Sequence, residues 1–148
     1  MILFMKLSMQ KFREIVFQFL YSRDFEKCDW EAIEPLVMRQ LLIPKRAARE
    51  AKAKAEAIWE KCEELDQKIA EKSSNYDLKR VPRVELTILR LGAFELLFSD
   101  LPPKVAISEA IRITRKYATV EGATFVNAVL DALYKEKEGA AVSEEQIS

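Results

Sequence analysis

The stretch Val84-Glu85-Leu86-Thr87-Ile88-Leu89-Arg90-Leu91-Gly92-Ala93-Phe94-Glu95-Leu96-Leu97-Phe98 decides the fold. It is apolar on nearly every side when wound as a helix, and such a helix stays in water only when other helices surround it. Pro82 suits the first turn, so the helix is expected to start just behind it and to end near Ser99. One arginine and two glutamates fall inside the apolar run. An ionised group there must find a partner or reach the surface, because an unpaired buried charge costs several kcal/mol. Arg90 and Glu95 are therefore read first as an internal ion pair, or as a snorkelling arginine that fixes helix register. The competing reading makes Glu85 and its exposed neighbours a protein-docking face.

Working outward, Asp100-Leu101-Pro102-Pro103 breaks the chain before a helix from about Val105 to Tyr117, with Ile107, Ala110, Ile111 and Thr114 facing inward. A last helix is expected from about Glu121 to Glu138, burying Val126, Val129, Leu130 and Leu133. Residues 139–148 are small and acidic and read as a flexible C-terminal tail behind a single domain of residues 1–138. Upstream, Phe12, Ile15, Val16, Phe19 and Leu20 form the apolar face of a first helix from about Leu7 to Arg23. Asp24 to Asp29 reads as a loop with Asp29 a candidate N-cap, followed by a helix from Trp30 to about Leu42 with Pro35 near its first turn. Lys45 to about Lys72 reads as one long helix, because Ala51, Ala55, Ile58, Cys62, Leu65 and Ile69 keep a heptad rhythm. That stripe is read as core packing rather than as a dimer seam. Ser73-Ser74-Asn75 is a turn cluster.

Composition agrees and excludes much. At 148 residues, 49% apolar and 32% charged, the chain is a globular domain large enough for a real core. Three glycines are too few for the turns of a β-rich fold. The complete absence of histidine removes His-based triads, His-ligated zinc and imidazole acid–base chemistry. Two cysteines, Cys28 and Cys62, are too few for a cysteine-only zinc site and read as reduced thiols. The apolar start Met1 to Met5 is far short of the roughly 20 residues that span a bilayer, and no signal-peptide pattern follows, so a cytoplasmic protein is expected. Met5 or Met9 is read as a candidate for the original start. There is no glycine-rich phosphate loop, nucleophile elbow or metal-ligand spacing. Glu60, Glu63, Glu64 and Asp66 read as a solvated helix face. The expectation is a binding protein without cofactor or metal, not an enzyme.

Formal charge balances at zero, so any nucleic-acid binding must rest on a local patch or a partner. Two basic patches stand out. Lys45, Arg46, Arg49, Lys52 and Lys54 open the third helix, where positive charge opposes the helix dipole, and they form either a solvated face or a phosphate-tracking patch. Lys6, Lys11, Phe12, Arg13, Gln18 and Tyr21 mix cations with groups able to stack on or hydrogen-bond splayed bases of single-stranded RNA.

Several ordered blocks resemble the NusB family of bacterial transcription antitermination factors. Lys11-Phe12-Arg13-Glu14 leads to Gln18 and Leu20-Tyr21-Ser22, similar to the family's arginine-rich opening followed by glutamine and Leu-Tyr. Asn75-Tyr76, Arg80 and Ile88 to Leu97 resemble its middle pattern, and Pro103-Lys104-Val105-Ala106-Ile107-Ser108-Glu109-Ala110-Ile111 its next stretch. Phe125-Val126-Asn127-Ala128-Val129-Leu130-Asp131 matches its Phe-Val-Asn-Gly-Val-Leu-Asp block with one change. The resemblance is strongest from Asn75 to Asp131.

The resemblance implies an all-α domain of about six to seven helices in two packed sub-bundles, without catalysis. It implies boxA-type single-stranded leader RNA of ribosomal RNA operons as ligand and the ribosomal protein NusE as partner. Other Nus factors and RNA polymerase would complete the assembly, with a homodimer as an alternative use of the partner surface. By motif position, Lys11, Arg13, Gln18 and Tyr21 would line the RNA path, joined by Glu121 and Phe125, the latter as a stacking ring. Glu85 falls where the family places an acidic residue that meets the partner. The usual arginine run is thinned here to Lys11 and Arg13, which predicts weak RNA binding alone, tightened by NusE. Two rivals stand beside this reading. One is a helical protein–protein adaptor with weakened or lost RNA binding. The other is a relative of the N-terminal domain of ribosomal-RNA cytosine methyltransferases, which is expected to need a Rossmann-like domain for which this chain is too short.

Overall fold

The central helix forms as its pattern requires, from Arg83 to Phe98, with Pro82 as its extended N-terminal flank. The computed structural model describes residues 8–26, 29–73 and 77–147 and is all-α. The chain divides into two helical units at Glu60 and Lys61. The first holds α1 (Met9–Glu26), α2 (Trp30–Leu41) and α3 (Lys45–Glu60). The second holds α4 (Cys62–Lys72), a 3-10 turn (Leu78–Arg80), α5 (Arg83–Phe98), α6 (Pro103–Tyr117) and α7 (Val120–Ile147). No helix among the described residues is long and apolar enough to cross a membrane.

In the first unit α1 packs on both α2 and α3. Ile15, Val16, Phe19 and Leu20 are buried as their spacing predicts, whereas Phe12 is half-buried and Phe17 takes a place in the core. Ser8 caps α1, its Oγ accepting the Lys11 N–H at 3.1 Å. Arg23 ties the three helix ends together: its guanidinium carbon lies 5.7 Å from the Trp30 ring centre and 5.3 Å from that of Trp59. Asp29 does occupy the α2 N-cap, though its side chain makes no capping bond. Pro35 lies inside α2 rather than in its first turn, on an exposed face where water can satisfy the carbonyl left without a donor. Leu42 closes α2 in the left-handed conformation (φ 52°), with its N–H donating to the Met38 carbonyl and its side chain 90% exposed.

The expected long third helix is interrupted at Lys61, whose φ of −93° and ψ of 7° leave the helical range. Leu65 and Ile69 remain buried beyond the break, as Ala51, Ala55 and Ile58 are before it, so the heptad spacing carries no trace of the interruption. In the second unit α5 is enclosed by α4, α6 and α7. Arg90 is paired there: its Nε and Nη2 donate to the two carboxylate oxygens of Asp66 at 2.8 and 2.9 Å. Asp66 therefore does not belong to a solvated face, although Glu60, Glu63 and Glu64 do. A Cβ on Gly92 would stand 2.8 Å from Leu130 Cδ1, so glycine permits the close approach of α7 to α5. Lys137 Nζ donates to the Leu96 carbonyl at 2.6 Å, satisfying a last-turn acceptor of α5.

The inward face of α6 is Ala106, Glu109, Ala110, Ile113 and Thr114; Ile107 and Ile111 are only half-buried, so the face is turned from the expected one. Glu109 is held by Arg112 at 2.8 Å, which lets a carboxylate occupy a position that apolar spacing assigns to isoleucine. On α7, Val126, Val129, Leu130 and Leu133 are buried as expected, and the helix continues past Glu138 to Ile147. Ala128 is exposed within that helix, with no positive φ to demand glycine. The turn at Ser74 and Asn75, the Asn75-Tyr76 pair, Lys6 and Cys28 lie outside the described residues.

Two outcomes follow for stability. Asp66→Ala removes the bidentate acceptor of a mostly buried guanidinium and should destabilise the protein by about 3 kcal/mol in chemical denaturation, the pair being partly open to water. Leu42→Gly removes a left-handed penalty of about 1–2 kcal/mol against a glycine entropy cost of about 0.5–1, so a net gain of about 0.5–1 kcal/mol and a higher Tm are expected.

Candidate functional site

The first candidate surface is the outer edge of α1. Lys11, Gln18 and Tyr21 are half-buried, each with part of its side chain open to water. Arg13 differs: it is only 5% exposed and is engaged in interactions within the fold, beside Glu14, also 5% exposed. A buried arginine of this kind holds its helix in place more readily than it reaches a phosphate. The Tyr21 ring stacks on Phe17 at 5.9 Å and on Phe25 at 6.0 Å, the second pair nearly parallel at 12°. Phe25, which sequence reasoning passed over, is 61% exposed. Its signal was its spacing, seven residues beyond Gln18 and fourteen beyond Lys11.

The second surface lies where α5 and α7 begin. Thr119 caps α7, its Oγ1 accepting the Gly122 N–H at 2.9 Å. Glu121 is exposed in the first turn, where the helix dipole favours a carboxylate, and Phe125 is half-buried one turn on. Glu85 comes to the same place from α5. Its carboxyl carbon would lie 2.9 Å from a Cβ on Gly122, so glycine makes room for it. Glu85 is 9% exposed and has neither hydrogen bond nor ion pair among the described residues. Burial raises its pKa above the ordinary 4.5, since a carboxylate without partners loses water without compensation. Glu85 thus lies against the first turn of α7, the helix that carries Glu121 and Phe125, whereas Lys11, Arg13, Gln18 and Tyr21 belong to the other unit. Gly122 is the member that the sequence did not announce.

The basic opening of α3 is partly spoken for. Lys52 pairs with Glu34 at 3.2 Å and Arg46 with Glu50 at 3.4 Å, while Lys45 and Arg49 stand exposed. Among the described residues no group of three acidic or cysteine side chains is placed to hold a metal ion. Cys62 forms no disulfide among the described residues, and its thiol donates toward Asp66 Oδ2 at 3.9 Å.

The fold is an all-helical scaffold with cation, amide and aromatic groups along one helix and an unpaired carboxylate elsewhere. The chain belongs to the NusB family, whose model matches residues 10–135. It is 38% identical to the transcription antitermination protein NusB of Trichlorobacter lovleyi over 82% of this chain and 86% of that protein. It is 33% identical to the protein of the same name from Desulfosudis oleivorans over 90% of this chain and 89% of that protein. Among solved structures, T. maritima NusB superposes with a TM-score of 0.76 at 31% identity, covering 89% of this chain and 94% of that one. A chain in the crystal structure of the antitermination factors NusB and NusE in complex with double-stranded RNA superposes with a TM-score of 0.74 at 29% identity, covering 86% and 96%.

The Glu85 shift has a sign that can be checked. Above pH 4.5 the unfolded state loses this proton before the folded state does, so stability falls as pH rises through the raised folded value. Glu85→Gln is therefore expected to raise Tm at pH 7 and to leave it unchanged at pH 4, by calorimetry.

Proposed function

We propose that this protein is a transcription antitermination factor that binds boxA-type leader RNA of ribosomal RNA operons together with NusE and helps RNA polymerase resist termination. The observation that carries the reading is the run of open side chains on α1, Lys11, Gln18 and Tyr21, in a chain of the NusB family. The NusB–NusE–RNA complex, with a chain of the same fold at 29% identity, supports RNA and NusE as the partners. Residues 1–138 act as one RNA- and protein-binding domain in the cytoplasm, without catalysis, and other Nus factors join at the polymerase.

Lys11 contacts phosphate, while Gln18 and Tyr21 meet bases; Glu121 and Phe125 are further RNA contacts on α7. Arg13 supports α1 from inside. Glu85 receives a cationic group of NusE, which would supply the partner its carboxylate lacks within the chain. A homodimer would use the same surface. The burial of Arg13 also lends weight to a second reading, a protein adaptor whose RNA binding has weakened, since it leaves Lys11 as the α1 cation best placed for phosphate.

Fluorescence anisotropy of a labelled boxA-type RNA at two salt concentrations tests this. Binding should be weak for the protein alone and should tighten with NusE. Lys11→Ala should then lower affinity and reduce the salt slope by about one. Arg13→Ala should act mainly on Tm, removing about 3 kcal/mol of stability. Capture of NusE without RNA binding in any condition would favour the adaptor.

A further inference from the structure

We infer that Phe25 is an additional base-stacking ring, extending the RNA-contacting edge of α1 to the helix's C-terminal end. This rests on the RNA-binding reading above. At 100° per residue, Lys11, Gln18 and Phe25 drift only about 20° per step of seven, and Tyr21 falls within about 60° of their mean direction. The four side chains therefore share one stripe of α1, about 21 Å long at 1.5 Å per residue. Phe25 is 61% exposed although it is among the most apolar residues of the unit. Most of the ring is open to water, its packing within the fold being the contact with Tyr21.

The Phe25 ring lies 6.0 Å from Tyr21 and within 12° of parallel, and Tyr21 lies 5.9 Å from the buried Phe17. Phe17 anchors the stack in the core and Tyr21 relays it outward, so Phe25 is held by an aromatic neighbour rather than swinging freely. The spacing within the Tyr21–Phe25 pair leaves no room for an inserted base, so a nucleobase adds to the open face of Phe25. Aromatic platforms of this kind bind single-stranded RNA with little demand on sequence, because every base has a π-face. They also add affinity without adding charge, which suits a chain with zero net charge.

The test uses the full chain with NusE and a labelled boxA-type RNA in anisotropy titrations at two salt concentrations. Phe25→Ala should weaken binding about five- to a hundred-fold with an unchanged salt slope, as expected for loss of one stacked base. Phe25→Trp should bind at least as well as the parent, and Phe25→Leu should lose most of what alanine loses. Tm should move little in the alanine variant, because the ring is mostly solvated. Parent-like affinity for Phe25→Ala, with Lys11→Ala still weakened, would overturn the inference and leave the RNA reading standing. Absence of RNA binding by the parent complex would overturn both.

Discussion

The second unit depends on one ionic contact. Arg90 sits inside a mostly apolar helix, and its guanidinium fork is met by both oxygens of Asp66. A planar bidentate pair tolerates little sliding, so it sets the register of α4 on α5. Two residues further on, Gly92 leaves room for the Leu130 side chain of α7. The first turns of α5 and α7 meet, and Glu85 is pressed against Gly122. The unpaired carboxylate is a consequence of that packing. Its raised pKa expresses the same fact in another quantity.

Much of this was legible in the sequence because burial has a period. The apolar run of α5, the spacing of Ile15, Val16, Phe19 and Leu20, and the set Val126, Val129, Leu130 and Leu133 each announce the face that the structure buries. The break at Lys61 was not legible, since apolar residues at heptad spacing pack equally well on either side of an interruption. The turned face of α6 escaped for a different reason. Glu109 is buried with Arg112 paired to it, and a pattern built on apolar residues discounts a carboxylate. Asp66 was misread as solvated on the same grounds, its partner lying 24 residues away.

The candidate site was legible by residue type but not by geometry. Spacing put Lys11, Arg13, Gln18 and Tyr21 on one helix, yet it did not reveal that Arg13 is buried. Glu85 is far in the chain from the first turn of α7, and the two meet at Gly122. The edge of α1 is poor in open positive charge and comparatively rich in aromatic and amide groups. On the proposed reading, such an edge would gain affinity for RNA from stacking and from a partner's contacts more than from counterion release.

The central claim is that α1 presents the RNA-contacting edge. Ultraviolet cross-linking of a 4-thiouridine-substituted boxA-type RNA to the complex with NusE, followed by mass spectrometry of the joined peptides, tests it most directly. The account predicts cross-links within residues 9–26, centred on Tyr21 and Phe25. Cross-links confined to the basic opening of α3, with none on α1, would contradict it.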